Sequence, residues 1–115
     1  MRKLAGRRCV PCEGGLPSLE RKQTLWLLKQ LKPVWKRSVS GKTLFSKYMM
    51  KNFREAVRFI DRIALVAERE DHHPDLYLTG YRRLKIELST HAIGGLSEND
   101  FILAAKIDKL PRTLK

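Results

Sequence analysis

The sequence has little cysteine and no long apolar run, and each shortage excludes a class of protein. Two cysteines, Cys9 and Cys12, occur in 115 residues, so a structural zinc site with four cysteine ligands is excluded. No stretch of 18 consecutive apolar residues occurs, so the sequence predicts no membrane-spanning helix. Internal repeats and low-complexity runs are also lacking, which excludes a repeat array.

The length and the charge of the chain set the next limits. A chain of 115 residues buries roughly two-thirds of its unfolded surface, which is enough for one core but not for two. The 24 basic and 12 acidic residues give a net charge of +12, which favours attraction to anions. The basic residues do not alternate with aromatic residues in an RNA-binding pattern, and the sequence contains no signature of a recognition helix. We therefore expect no nucleic-acid partner despite the charge.

Residues 1–17 are interpreted as a basic N-terminal extension that precedes one domain over residues 18–115. Its first part, Met1–Arg8, lacks the apolar centre of a secretory signal, so a cytoplasmic protein is expected, with a remnant of an organelle-targeting peptide as the alternative. Gly14 and Gly15 are typical of a flexible joint. The sequence therefore predicts that the extension is dispensable for folding and for chemistry.

The extension contains the cysteine pair Cys9 and Cys12, whose spacing occurs in metal sites and redox pairs. A structural zinc site needs four ligands, and the sequence offers no second cysteine pair. A redox pair of the thioredoxin type is expected at a strand-to-helix turn, whereas Glu13, Gly14 and Gly15 follow this one. We favour a local loop anchor, and a metal or redox pair is the alternative.

Capping residues, prolines and hydrophobic periodicity divide the domain into seven elements. The predicted helices run from an N-cap at Ser18 to Pro33, from an N-cap at Asn52 to about Glu70, and from an N-cap at Ser97 to Pro111. The predicted strands are Trp35–Val39, Thr43–Met50, Leu76–Tyr81 and Leu84–Thr90. Two hairpins without long crossovers favour an α+β fold in the order α-β-β-α-β-β-α, with a four-stranded antiparallel sheet and three helices on one face.

The predicted helix that follows Asn52 has the broadest apolar surface. Its core stripe at helical spacing consists of Phe53, Ala56, Val57, Ile60, Ile63, Ala64 and Ala67. Phe59 and Val66 lie off that stripe, which favours burial against another subunit, although a broad core face explains the pattern equally well. Together with the unpaired edges of an open sheet, this surface predicts a homo-dimer or homo-tetramer. We expect Trp26 and Trp35 in the core.

All three histidines, His72, His73 and His91, lie within one stretch of 20 residues. Imidazole both accepts and donates protons near neutral pH, so this stretch is the candidate for acid–base chemistry, with structural or surface histidines as the alternative. Pro74 holds His73 extended, which turns His72 to another side. His91 follows the last predicted strand, so the two histidine-bearing loops can meet at one end of the sheet. A three-histidine metal site is disfavoured because adjacent side chains diverge in an extended chain.

The histidines are accompanied by further residues at specific spacings. The constellation consists of Glu68, His72-His73-Pro74, Tyr81, Ser89-Thr90-His91, Gly95-Leu96-Ser97-Glu98 and Asp100. It resembles the pterin-4a-carbinolamine dehydratase family closely over about 40 residues, and the order of the predicted elements follows that family from Ser18 onward. The departures are the N-terminal extension and Leu76, where an aromatic residue is expected in some relatives.

The resemblance implies loss of water from a 4a-hydroxytetrahydropterin to give the quinonoid dihydropterin, a step of tetrahydrobiopterin recycling. The reaction needs a proton for the departing hydroxyl and removal of a proton from the neighbouring ring nitrogen, without metal or redox cofactor. His72 and His91 are assigned to proton transfer, and His73 to orienting the pterin with a share in the chemistry. The candidates for substrate binding are Glu68, Asp71, Pro74, Ser89, Thr90 and Asp100. Asp100 also has a local interpretation, as the partner of Ser97 in a helix cap.

The resemblance leaves two functions open. Some members of the family also bind the dimerisation region of a transcription factor, so a non-catalytic protein-binding or coactivator module on the same scaffold is the alternative. For the enzyme, an aromatic amino acid hydroxylase is the candidate partner in the pathway, and assembly as a dimer or tetramer is implied. The sequence does not decide which histidine is the acid and which is the base.

Overall fold

The computed structural model describes residues 3–10 and 19–115. Within these residues lie the helices α1 (Arg21–Leu28), α2 (Phe53–Glu70) and α3 (Glu98–Asp108), and the strands β1 (Lys36–Arg37), β2 (Leu44–Met49), β3 (Asp75–Thr79) and β4 (Arg83–Leu88). Two short 3-10 helices span Leu4–Gly6 and His91–Ile93. Among the described helices, none is both long and apolar enough to cross a membrane.

The four strands form one antiparallel sheet in the order β1-β2-β4-β3. The central pair is β2 and β4, with Leu44 opposite Leu88 at one end and Met49 opposite Arg83 at the other. Helix α2 carries the chain from β2 to the edge strand β3, and the β3–β4 hairpin then returns β4 to the middle of the sheet. The predicted α+β fold with the order α-β-β-α-β-β-α is confirmed.

One face of the sheet is buried beneath the helices. Successive side chains of a strand point to opposite faces, and the inward residues of β2 and β4 are Leu44, Ser46, Tyr48, Leu84, Ile86 and Leu88. The helices add Leu27, Ala56, Phe59, Ile63, Phe101 and Ile107 to the same hydrophobic cluster. The sheet therefore has one solvent-facing side, and the chain segments at its ends are held by a single core.

Two expectations about packing are wrong. The sequence places Phe59 outside the core stripe of α2, yet Phe59 is completely buried, and Phe53, expected in the stripe, is 55% exposed. The buried face follows steps of three and four residues through Ala56, Phe59, Ile63, Ala67 and Glu70. Trp26 is 59% exposed, whereas Trp35 is buried as expected and its Nε1 donates to Asp108 Oδ1 at 2.9 Å.

Several boundaries differ from the predicted ones for local reasons. Strand β1 is shorter than Trp35–Val39 because Trp35 turns into the core and Val39 belongs to the turn that Ser38 closes by donating its N–H to Thr43 O at 2.9 Å. Strand β3 ends before Tyr81, whose φ of 55° belongs to the turn. Glu20 caps α1 in the structure; the predicted cap Ser18 lies outside the described residues.

Residues 3–10, here called the N-terminal segment, lie against the domain. Leu4 is only 3% exposed and belongs to the hydrophobic core. Lys106 Nζ on α3 donates to Ala5 O at 2.9 Å, and Arg7 forms an ion pair with Glu98 at the start of α3. This packing argues against the expectation that the extension is dispensable for folding. The division of the chain after residue 17 stays a prediction, since Gly14 and Gly15 lie outside the described residues.

Replacing Leu4 by alanine is expected to destabilise the fold by about 2–5 kcal/mol, the usual cost of a buried leucine-to-alanine change. The cause is the loss of apolar burial together with the cavity that remains in the core. The free energy of unfolding from urea denaturation measures it. The matched control is Val10→Ala, because the Val10 side chain is 48% exposed and should cost less than about 0.5 kcal/mol. Equal stabilities for both variants would contradict the packing of Leu4.

Candidate active site

The first two histidines follow the C-terminal end of α2. Asp71 adopts the left-handed conformation, with φ 51° and ψ 41°, and its N–H bonds to the last carbonyls of the helix. The chain then enters β3 through Pro74, and a residue before a proline favours extended geometry. As a result His72 turns inward and is 7% exposed, while His73 faces solvent. The adjacent imidazoles therefore point to different sides, as the sequence predicts.

The inward histidine contacts a buried carboxylate on another helix. His72 Nε2 lies 2.7 Å from Oδ1 of Asp100, which is completely buried. Asp100 lies in the first turn of α3, where Ser97 N–H donates to its Oδ2 at 3.0 Å and the predicted capping box is formed. A carboxylate in the first turn is stabilised by the helix dipole. Asp100 therefore serves as a helix cap and as the partner of His72 at the same time.

The loop after β4 reaches the same carboxylate. Thr90 is 1% exposed, and its Oγ1 donates to Asp100 Oδ2 at 2.8 Å and lies 2.7 Å from Ser97 Oγ. Thr90 N–H also donates to Gly95 O at 2.8 Å, which closes the loop that carries His91. The loop that carries His72 and the loop that carries Thr90 and His91 therefore meet at Asp100. Its carboxylate bonds to His72 with one oxygen and to Thr90 with the other.

The remaining predicted site residues surround this buried network. His73 Nε2 is hydrogen-bonded to Glu68, and both side chains are more than half exposed, so the pair adds little to stability. His91 is exposed on its short 3-10 helix. Asp71 is exposed, whereas Pro74 and Ser89 are half-buried. Among the hydrogen bonds of the described residues, none joins the side chains of Asp71, Ser89 or His91 to the network of Asp100.

Two buried polar residues next to this network are not among the site residues predicted from the sequence. Glu70 is 9% exposed at the end of α2, and Asn99 is 2% exposed beside Asp100. The spacing of Glu70 from Ile63 and Ala67 places an acid on the apolar face of α2, which is a signal in the sequence. Asn99 gives no such signal, because its partners belong to the distant N-terminal segment.

The cysteine pair is only partly described by the structure. Cys9 Sγ lies 3.6 Å from Asn99 O, which agrees with a loop anchor. Cys12 lies outside the described residues. Within the described part of the chain, no three His, Cys, Asp or Glu side chains are grouped as ligands for a metal ion.

Four cavities lined by described residues lie away from the three histidines. Cavities of about 600, 790, 520 and 560 Å³ are lined by residues other than the three histidines. The first of them lies between the N-terminal segment and α1, and its lining includes Arg7, Trp26 and Glu98. We therefore identify the candidate site by its hydrogen-bonded side chains, since proton transfer depends on those groups and not on the size of a pocket.

Comparisons with solved structures support the fold. The structure described as a transcriptional coactivator/pterin dehydratase from Brucella melitensis superposes with a TM-score of 0.73 and 28% identity, over 79% of this chain and 95% of that one. A pterin dehydratase-like protein described as a RuBisCO assembly factor in the alpha-carboxysome gives a TM-score of 0.54 and 21% identity, over 64% of this chain and 84% of that one. At that identity the second likeness concerns the fold alone.

Comparisons of sequence extend over nearly the whole chain. A protein of Nitrosomonas europaea, provisionally named pterin-4-alpha-carbinolamine dehydratase, is 48% identical over 107 residues, which are 93% of this chain and 92% of the relative. A protein of Halorhodospira halophila with the same provisional name is 43% identical over 93% of this chain and 96% of its own length. The family described as pterin 4 alpha carbinolamine dehydratase matches residues 17–110. With its fold and this match together, the chain belongs to the pterin 4 alpha carbinolamine dehydratase family.

Proposed function

We propose that this protein catalyses the dehydration of a 4a-hydroxytetrahydropterin to the quinonoid dihydropterin by proton transfer through histidines. The observation that carries the proposal is the buried contact of 2.7 Å between His72 and Asp100. The names of the relatives support the substrate class, since they are provisionally called pterin-4-alpha-carbinolamine dehydratases.

His72 is assigned as the base. An ionised carboxylate only accepts hydrogen bonds, so Asp100 fixes the proton of a neutral His72 on Nε2. The other ring nitrogen, Nδ1, is then the unprotonated one, and a proton taken from the ring nitrogen of the pterin is received there. Asp100 would stabilise the imidazolium that forms, as a buried carboxylate does for the histidine of a catalytic triad.

The acid is assigned to His91, with the exposed His73 as the alternative. A protonated imidazole donates to the 4a-hydroxyl, the carbon–oxygen bond breaks, and water leaves. The electron pair of the nitrogen–hydrogen bond, whose proton His72 accepts, forms the new double bond between the ring nitrogen and the 4a carbon. One proton is delivered and one is removed, so the step is balanced without an oxidant, a reductant or a metal ion.

The proposal is tested with 4a-hydroxytetrahydropterin generated in the assay by a pterin-dependent hydroxylase. The formation of quinonoid dihydropterin is followed with and without this protein, and compared with spontaneous dehydration. The expected result is an acceleration proportional to the concentration of the protein. A rate equal to the spontaneous one at every protein concentration would refute the proposed enzyme.

A protein-binding module is the second candidate function. It is favoured by the solved relative that is described both as a transcriptional coactivator and as a pterin dehydratase. On that function the histidines would be dispensable, and exposed apolar residues would carry the activity. The two functions are therefore separated by histidine variants, which remove catalysis and leave a docking surface intact.

The protein is expected to be a homo-oligomer. Trp26, Phe53 and Leu65 are each more than half exposed in the single chain, and such apolar surface is commonly covered by another subunit. Sedimentation at micromolar concentration should therefore give a mass that is a multiple of 13.4 kDa. Leu65→Asp should shift the mass toward the monomer, whereas Val39→Asp, at a fully exposed turn position, should not. A monomeric wild-type protein would contradict this prediction.

A further inference from the structure

We infer that Asn99 and Glu70 are positioning residues, which bind the N-terminal segment and thereby hold His72 and Asp100 at hydrogen-bonding distance. The inference rests on the proposed function for its effect on rate, but its structural part concerns only the distance between two side chains. It assigns a role to the N-terminal segment, whose sequence precedes the part of the chain that the family match covers, residues 17–110.

Asn99 pairs with the backbone of the N-terminal segment through both ends of its amide. Val10 N–H donates to Asn99 Oδ1 at 3.0 Å, and Asn99 Nδ2 donates to Val10 O at 2.8 Å. The side chain is 2% exposed, and a paired amide in such a place costs free energy if its partners are removed. The segment is therefore fixed at the first turn of α3, one residue from Asp100.

Glu70 fixes the same segment to the end of α2. Cys9 N–H donates to Glu70 Oε1 at 2.8 Å. Lys106 Nζ lies 3.8 Å from Glu70 Oε2 and donates to Ala5 O at 2.9 Å. The carboxylate is thus held by a backbone donor of the segment and by a lysine of α3, at a position two residues before His72.

These contacts connect the two helix ends, the end of α2 and the start of α3, that lie next to the His72–Asp100 bond. Consecutive residues Cys9 and Val10 reach α2 through Glu70 and α3 through Asn99. Neighbouring residues on a helix point about 100° apart, so Asn99 faces the segment while Asp100 faces His72. The segment therefore bridges the end of α2 and the start of α3, the two elements that carry His72 and Asp100.

The spacing matters because a hydrogen bond tolerates little displacement. The His72 Nε2 to Asp100 Oδ1 distance is 2.7 Å, and a separation beyond about 3.5 Å no longer counts as a hydrogen bond. A shift of about 1 Å between the end of α2 and the start of α3 would therefore break this hydrogen bond. Asp100 would then no longer fix the tautomer that makes Nδ1 a proton acceptor.

The sequence relatives include at least part of this segment. The alignment with the protein of Nitrosomonas europaea covers 107 of 115 residues, so at most eight residues of this chain lie outside it. The aligned region therefore begins no later than Cys9. Cys9 and Val10, which make the contacts with Glu70 and Asn99, therefore lie in the region that this chain and its relative have in common.

The test compares Asn99→Ala with Asn52→Ala in the full-length protein. Asn52 is a matched control because it is the N-cap at the opposite end of α2, where its Oδ1 accepts from Glu55 N–H at 2.9 Å. Both changes remove a side-chain amide that bonds to backbone, and both should lower the melting temperature. The readouts are the ¹⁵N and ¹H signals of the His72 imidazole, assigned by their loss in His72→Ala, and the kcat and KM of the dehydration.

Asn99→Ala is expected to move the His72 signals toward a mixture of tautomers and to lower kcat by about 10-fold or more, with a smaller change in KM. Asn52→Ala should leave the signals and kcat unchanged. Asn99→Asp is the second variant, to be used if the alanine variant does not fold. It keeps the acceptor for Val10 N–H and loses the donor to Val10 O. It should therefore move the same His72 signals. Unchanged His72 signals in a folded Asn99 variant would overturn the inference. If the wild-type protein has no dehydratase activity, the proposed function fails, and the His72 signals still decide the positioning role.

Discussion

Replacing His72 by alanine is expected to lower the turnover of 4a-hydroxytetrahydropterin by about 10²–10⁴-fold, the usual contribution of general acid–base catalysis. The same loss is expected for His91→Ala if His91 delivers the proton to the departing hydroxyl. Binding of a stable dihydropterin should weaken much less, because neither imidazole is needed to hold the ring. Turnover is measured against spontaneous dehydration, and binding is measured by titration of each variant.

The third histidine is the internal control of this experiment. His73 is exposed and bonded to Glu68, and it is assigned to orienting the pterin, so His73→Ala should weaken binding at least as much as it slows turnover. A loss of turnover in His73→Ala with normal turnover in His91→Ala would move the role of acid to His73. Near-normal turnover in both His72→Ala and His91→Ala would exclude the catalytic proposal and favour the protein-binding module.

The parts of the site that depend on local sequence could be predicted. The capping box of Ser97 and Asp100 is a pattern of four residues, and Pro74 determines how the chain leaves α2. The separation of His72 from His73 follows from extended geometry. In each case the interacting residues lie within a few positions of each other, so their spacing in the sequence is enough to predict the local geometry.

The parts that depend on distant contacts could not be predicted. The His72–Asp100 bond joins residues 28 positions apart. The sequence predicts that both are site residues, but it does not predict that they bond to each other. Leu4 is buried against elements that follow much later in the chain. The sequence pattern places Phe53 in the core stripe and Phe59 outside it, whereas the structure buries Phe59 and exposes Phe53. The buried face of α2 is rotated about the helix axis relative to the predicted stripe, and contacts with distant elements determine that rotation.

Asp100→Asn is expected to lower turnover by about 10²-fold or more while the protein remains folded. Asp100 Oδ2 accepts from Thr90 and Ser97, and its Oδ1 contacts His72. An amide has one acceptor oxygen and one donor nitrogen. If the oxygen stays with Thr90 and Ser97, the amide nitrogen faces Nε2 of His72 and donates to it. The neutral imidazole then carries its proton on Nδ1, so it can no longer accept a proton there.

Asp108→Asn is the matched control for this substitution. Asp108 is also a buried aspartate of α3, and its carboxylate accepts from Trp35 Nε1 and Lys32 N–H at 2.9 and 3.0 Å. Its amide variant should lose stability, because one donor now faces the amide nitrogen, yet it should keep normal turnover. The tautomer of His72 in Asp100→Asn is read from the imidazole ¹⁵N signals, and turnover from the dehydration assay. Normal turnover in Asp100→Asn, or an equal loss in both variants, would show that Asp100 acts on stability and not on the protonation of His72.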